Sequence, residues 1–202
     1  MGPTPTTPSD RTPVALHERA IADLRFIRRT MEGAVAFTTL SGAGLVAIGL
    51  TAIGAGLLAG STPGPAWLRV WLVEAALAVA LGVLATVWKT RAARLPLLTG
   101  PLRKFGLALG APLLAGAVLT LALAREGLHA ALPGVWLMLY GSGLLAGGAF
   151  SIRLVPTMGA CFLGLGMITT LAPPVVGPMA LWLGFGGLHV AFGMLVVRGH
   201  GG

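Results

Sequence analysis

Asparagine and glutamine are absent from this 202-residue sequence, and cysteine and tyrosine occur once each. The single cysteine, Cys161, rules out an internal disulfide and any cysteine-based metal site. It falls in an apolar stretch and is expected to pack as a small hydrophobe. The missing amides remove a common hydrogen-bonding glue between membrane helices. Charge is scarce as well: charged residues are 10% of the chain, against about 25% in soluble domains. Of the acidic residues, only Glu74 falls inside an apolar segment. No serine–histidine–aspartate set, phosphate-binding glycine loop or intramembrane HExxH is present, so the chain reads as a non-enzyme.

What the sequence has in abundance is apolar residues, at 55% with a mean hydropathy of +0.87. They come in long blocks, which argues for transmembrane helices rather than a water-soluble core. Six spans are expected, at 33–59, 68–88, 106–124, 132–151, 156–172 and 178–197. Each is close to the roughly 20 residues that a helix needs to cross the hydrocarbon. The fold class is therefore all-α, a polytopic membrane helix bundle of six transmembrane helices arranged as three hairpins, with an N-terminal amphipathic helix. Residues 1–12, rich in Pro, Thr and Ser, read as a disordered tail. Residues 13–31 read as a basic amphipathic cytoplasmic helix, capped by Thr12 with Pro13 at its first position. Leu16, Ala20, Leu24, Ile27 and Met31 form its apolar stripe. Residues 32–198 form the six-span membrane domain.

The formal net charge is +8, which raises the question of nucleic acid. The basic residues cluster at the ends of the spans, where membrane topology needs them, so nucleic acid is not an expected partner. Arg and Lys side counts put twelve on one side, including Arg19, Arg25, Arg28, Arg29 and Arg153, and only Arg69 and Arg125 on the other. Both termini are therefore expected in the cytoplasm. Arg19, Arg25, Arg28 and Arg29 are the candidate contacts to the membrane surface. Glu32 and Arg153 lie at the inner boundary as a candidate ion pair, although Arg28 is an equally available helical partner for Glu32.

The three connections on the opposite side share a plan. Pro63, Pro133 and Pro178 each stand shortly before Trp67, Trp136 and Trp182 at the opening of the next span. Spans one and two also align with spans five and six at a constant offset that pairs Trp67 with Trp182 and Glu74 with His189; a parallel repeat is one reading and chance in a Gly-rich chain the other. Small-residue stripes, Gly106/Gly110, Gly143/Gly147, Ala160/Gly164 and Ala180/Gly184, allow close helix packing within the bundle or at a homo-oligomer or partner interface.

Glu74 and His189 are the residues that stand out. Each lies seven positions after a Trp, about 10 Å of helical rise. Ionisable groups inside a bilayer are costly, which makes them candidate functional residues. If spans two and six touch, Glu74 and His189 would face each other, with Tyr140 near them, in a pocket in the outer half of the bundle. A purely structural hydrogen bond is the alternative. No metal site is expected, because zinc needs three or four ligands. No cofactor is expected either, haem through His189 paired with Met138, Met167 or Met194 being the one remaining option.

The run from His17 to Glu32 leading into a Gly-rich span, and the stretch Phe185-Gly-Gly-Leu-His-Val-Ala-Phe-Gly193, resemble a group of six-span bacterial inner-membrane proteins of uncharacterised function. The resemblance covers about 17–197, and its most specific part is the pattern FGxLHxxxG, whose histidine is His189. It implies an inner-membrane location and, because some members are encoded beside winged-helix regulators, a role in sensing or regulation. The expected function is that of a non-catalytic sensory or accessory subunit that binds a lipophilic small ligand or a membrane protein. The alternatives are a small proton-coupled transporter using Glu74, and a haem- or quinone-binding electron-transfer protein.

Overall fold

The computed structural model describes residues 19, 21–25, 27, 41–94, 100–149 and 151–200. It divides into two units, 1–35 and 36–202. In the first, the described residues are helical, with Arg19, Leu24, Arg25 and Ile27 exposed. The tail, Arg28, Arg29 and Glu32 lie outside the described residues.

The second unit is an integral membrane helix bundle. Its helices are α1 (Gly42–Ala59), α2 (Pro65–Ala92), α3 (Gly100–Arg125), α4 (Leu132–Gly148), α5 (Leu154–Leu171), α6 (Val176–Leu181) and α7 (His189–His200). A π-helical segment, Trp182–Leu188, joins α6 to α7, so that these three pieces make one span. Six segments are thus long and apolar enough to cross a membrane, and no strand occurs among the described residues.

Local chemistry sets the boundaries. Ser41 caps α1 by accepting a hydrogen bond from the Gly44 amide, replacing one of the partners that the first turn lacks. Gly60, at φ 74°, ends the helix in a conformation that side chains disfavour. Pro65 opens α2, where its missing N–H costs nothing. Gly127, at φ 72°, makes the turn after α3.

Close backbone approach builds the centre. Gly42, Gly49 and Gly56 recur every seventh residue along α1 and face Gly193, Gly186 and the Trp182 ring of the last span in antiparallel order. A Cβ on Gly49 would lie 2.8 Å from the Gly186 carbonyl oxygen, so only glycine fits. The α4–α5 pair uses the same device: a Cβ on Gly141 would lie 2.5 Å from the Leu163 amide nitrogen. Small residues matter here because lipid supplies no hydrophobic force between helices, leaving packing and polar contacts to do so. Among the stripes read from the sequence, Gly143, Gly147 and Gly184 meet neighbouring side chains, whereas Gly106, Gly110 and Gly164 face open space. In the proposed repeat register, Trp67 is buried but Trp182 is 39% exposed, so the two hairpins use these residues differently. Spans α2 and α3 bury little of themselves; Val73, Leu77, Val83, Leu114 and Val118 present apolar surface outward, as a lipid environment permits.

Cys161 departs from expectation. It is exposed, because Met158 and Phe162 take the inward face of α5 and the helical repeat turns Cys161 away from it.

Candidate functional site

The last span carries the least regular backbone in the bundle, immediately before its most buried polar side chain. The π segment contains Gly184, Gly186 and Gly187. Gly184 lies against Leu137 and Phe162 on one side, and Gly186 against Ile53 on the other. Neighbours thus leave no room for a side chain at Gly184 or Gly186, whereas Gly187 faces open space. Single π turns inside α-helices are uncommon and gather at functional sites.

His189 follows it and is 1% exposed. Its Nε2 lies 2.8 Å from the hydroxyl of Tyr140 on α4. With the phenol as donor, Nε2 accepts and the ring proton sits on Nδ1. Nδ1 is directed at the backbone of Gly184 and Phe185 in the preceding turn, its nearest polar groups, without a hydrogen bond of full geometry to either. Aromatic rings enclose the imidazole: Phe185 is stacked at 6.0 Å between centroids, and Phe162 meets it edge-on at 5.4 Å.

Glu74 is 6% exposed and belongs to a different pair. Thr51 of α1 donates its hydroxyl proton to Glu74 Oε1 at 2.9 Å. The same hydroxyl lies within reach of the Ala47 and Ile48 carbonyls, so its one proton is contested between the backbone and the carboxyl group. The structure therefore brings Tyr140 and His189 together, as expected, but gives Glu74 to Thr51 rather than to His189. The two polar pairs are separated by a ring contact between Trp71, three residues before Glu74, and Phe185, four before His189, with centroids 6.4 Å apart.

Two further features were not anticipated. Trp136 donates its indole N–H to Thr120 of α3 at 2.8 Å and stacks on Trp67 with centroids 5.8 Å apart. Trp67 and Trp71 are buried, yet neither indole nitrogen has a hydrogen-bond partner. A buried donor left unpaired costs about 1–3 kcal/mol, so these two and His189 Nδ1 are uncommon in a packed interior.

The remaining sequence candidates lie apart. Arg153 is exposed at the start of α5, where its carbonyl accepts from the Thr157 hydroxyl. No cluster of three metal-ligating side chains occurs among the described residues. A groove of about 350 Å³ lies between α1 and α2, lined by Ser41, Ala47, Leu84 and Trp88 among others; Glu74 and His189 do not line it.

Comparison with known proteins returns no matching family model, no matching curated protein and no matching solved structure. Any functional reading therefore rests on the chemistry of the bundle itself.

Proposed function

We propose that this chain is a non-catalytic sensory or accessory subunit of the bacterial inner membrane, with both termini cytoplasmic, that binds a lipophilic small ligand beside Tyr140 and His189. The observation that carries this reading is a buried imidazole with one nitrogen bonded to a phenol and the other unsatisfied, set next to a π segment inside an aromatic cage. A group held for packing alone would gain from having both nitrogens paired. The cage is apolar enough to accept a molecule from the bilayer, and His189 would orient it. The exposed basic helix at Arg19 and Arg25, with Arg28 and Arg29 close by in the sequence, suits contact with an acidic leaflet or a cytoplasmic partner.

The test is extraction of bound compounds from protein purified out of its native membranes, compared with His189→Leu. One lipophilic compound retained by the native chain and lost from the variant supports the reading. Recovery of bulk lipid alone from both would refute it.

Proton-coupled transport through Glu74 is the second reading, favoured by a buried carboxyl group whose hydrogen bond comes from a hydroxyl that has backbone alternatives. Proteoliposome flux unchanged by Glu74→Gln would remove it. Haem is disfavoured, because Nε2 of His189, an atom that could ligate iron, is already engaged by Tyr140.

A further inference from the structure

The unpaired donors form a connected group. Trp67 and Trp71 are one helical turn apart on α2, with ring centroids 6.1 Å apart. Trp71 meets Phe185 at 6.4 Å, and Phe185 meets His189 at 6.0 Å. Phe185 also lies 5.2 Å from Tyr140 and 5.3 Å from Phe162. It is thus the hub of the ring cluster. It is also partly exposed, whereas Trp71 and His189 behind it are buried. Phe185 thus lies over two of the three side chains whose hydrogen bonds are missing, Trp71 and His189, and Trp67 follows behind Trp71.

We propose that Phe185 is a side-chain gate over a closed site, and that the ligand is a planar, neutral, lipophilic carbonyl compound of the quinone class. This rests on the reading that the Tyr140–His189 region binds a small molecule, and it names the chemistry of that molecule. Indole Nε1 and protonated Nδ1 are donors without acceptor capacity, so the ligand must bring acceptor oxygens. The ring cluster contains no cation, and Glu74, three residues beyond Trp71, is an acid. A carboxylate or phosphate would find no countercharge, whereas a carbonyl oxygen needs none. Ring walls favour a flat partner that stacks or packs edge-on. When Phe185 turns outward, a ring can take its place between Trp71, Tyr140, Phe162 and His189, with its oxygens toward the unpaired N–H groups.

The full chain in lipid nanodiscs, labelled with nitrogen-15 at the tryptophan indoles, tests this directly. The probes are 2-methyl-1,4-naphthoquinone and 2-methylnaphthalene, which have the same ring system with and without carbonyl oxygens. Trp88, at 68% exposure, and Trp182, at 39%, serve as internal controls and can be assigned by Phe substitution. The expected result is a saturable downfield shift of the Trp67 and Trp71 N–H signals with the quinone, with the controls unmoved. The hydrocarbon should cause no such shift and bind at least tenfold more weakly. Trp71→Phe should weaken quinone binding about tenfold, and Phe185→Ala should strengthen it several-fold. Equal saturable binding of both probes would overturn the carbonyl class and leave the ligand-site reading standing. Shifts that grow linearly at all five indoles, or none at Trp67 and Trp71, would overturn the inference; the extraction experiment then decides the broader reading separately. The native chain carries the main test, so a variant that fails to fold does not remove it.

Discussion

The hydroxyl of Tyr140 and Nε2 of His189 lie 2.8 Å apart, joining two spans across 49 positions of sequence. α5 lies between α4 and the last span in the chain, so this bond ties together parts of the bundle that no hairpin turn holds. Around it, the rings of Phe162 and Phe185 and the unsatisfied Nδ1 define one face of the candidate site. Its consequences for stability can be measured separately from ligand binding.

Tyr140→Phe leaves the buried Nε2 without a donor. The expected cost is about 1–3 kcal/mol in an unfolding titration. In a double-mutant cycle with His189→Phe, the coupling should be about 0.5–2 kcal/mol, the range for hydrogen bonds inside membrane proteins. Additive effects would mean that the bond contributes nothing in the membrane.

The Glu74–Thr51 pair is expected to behave as an independent unit. Thr51→Val should couple with Glu74→Leu by a similar amount. Thr51→Val and Tyr140→Phe should add to within about 0.5 kcal/mol, because they share no partner. Coupling between those two above that level would show that the polar pairs communicate, contrary to their separation by Trp71 and Phe185.

Glycine positions should divide by what a methyl group would meet. Gly49→Ala and Gly141→Ala force backbones apart and are expected to destabilise by about 1–3 kcal/mol. Gly164→Ala has open space and should be close to neutral or slightly stabilising. Equal effects at all three, measured by unfolding in mixed micelles, would contradict the antiparallel close packing.

Exposure of Cys161 gives a simple substitution test. Cys161→Leu should cost less than about 0.5 kcal/mol in an unfolding titration, whereas overpacking an inward-facing position costs about 1–3 kcal/mol.

Much of this architecture was readable in the chain. Six apolar blocks, three of them opened by a Pro and a Trp, mark the spans, and Tyr140 and His189 group together because few other polar side chains exist. Two further bonds are also legible in the chain. Thr51 and Glu74 lie symmetrically about the turn near Thr62, and Thr120 and Trp136 about Leu128, so hairpin register alone places each pair face to face. Assigning Glu74 to His189 instead came from equal spacing after a Trp, which fixes distance along a helix but not which helix lies opposite. The Tyr140–His189 bond depends on how non-adjacent spans pack, which hairpin register does not specify. The π segment was hidden for a related reason: Phe185-Gly186-Gly187 is compatible with an ordinary α-helix, and the wider turn emerges only where Gly184 and Gly186 are pressed between neighbours. The seven-residue glycine spacing is legible too, whereas among the small residues four apart Gly106, Gly110 and Gly164 face open space.

The nitrogen-15 spectrum of the His189 imidazole bears most directly on whether this residue is a poised ligand contact. The expected spectrum has the proton on Nδ1 and an accepting Nε2 whose signal moves in Tyr140→Phe, with the Nδ1 signal moving when a lipid extract of the native membrane is added. A ring protonated on Nε2, indifferent to both Tyr140→Phe and the extract, would contradict it.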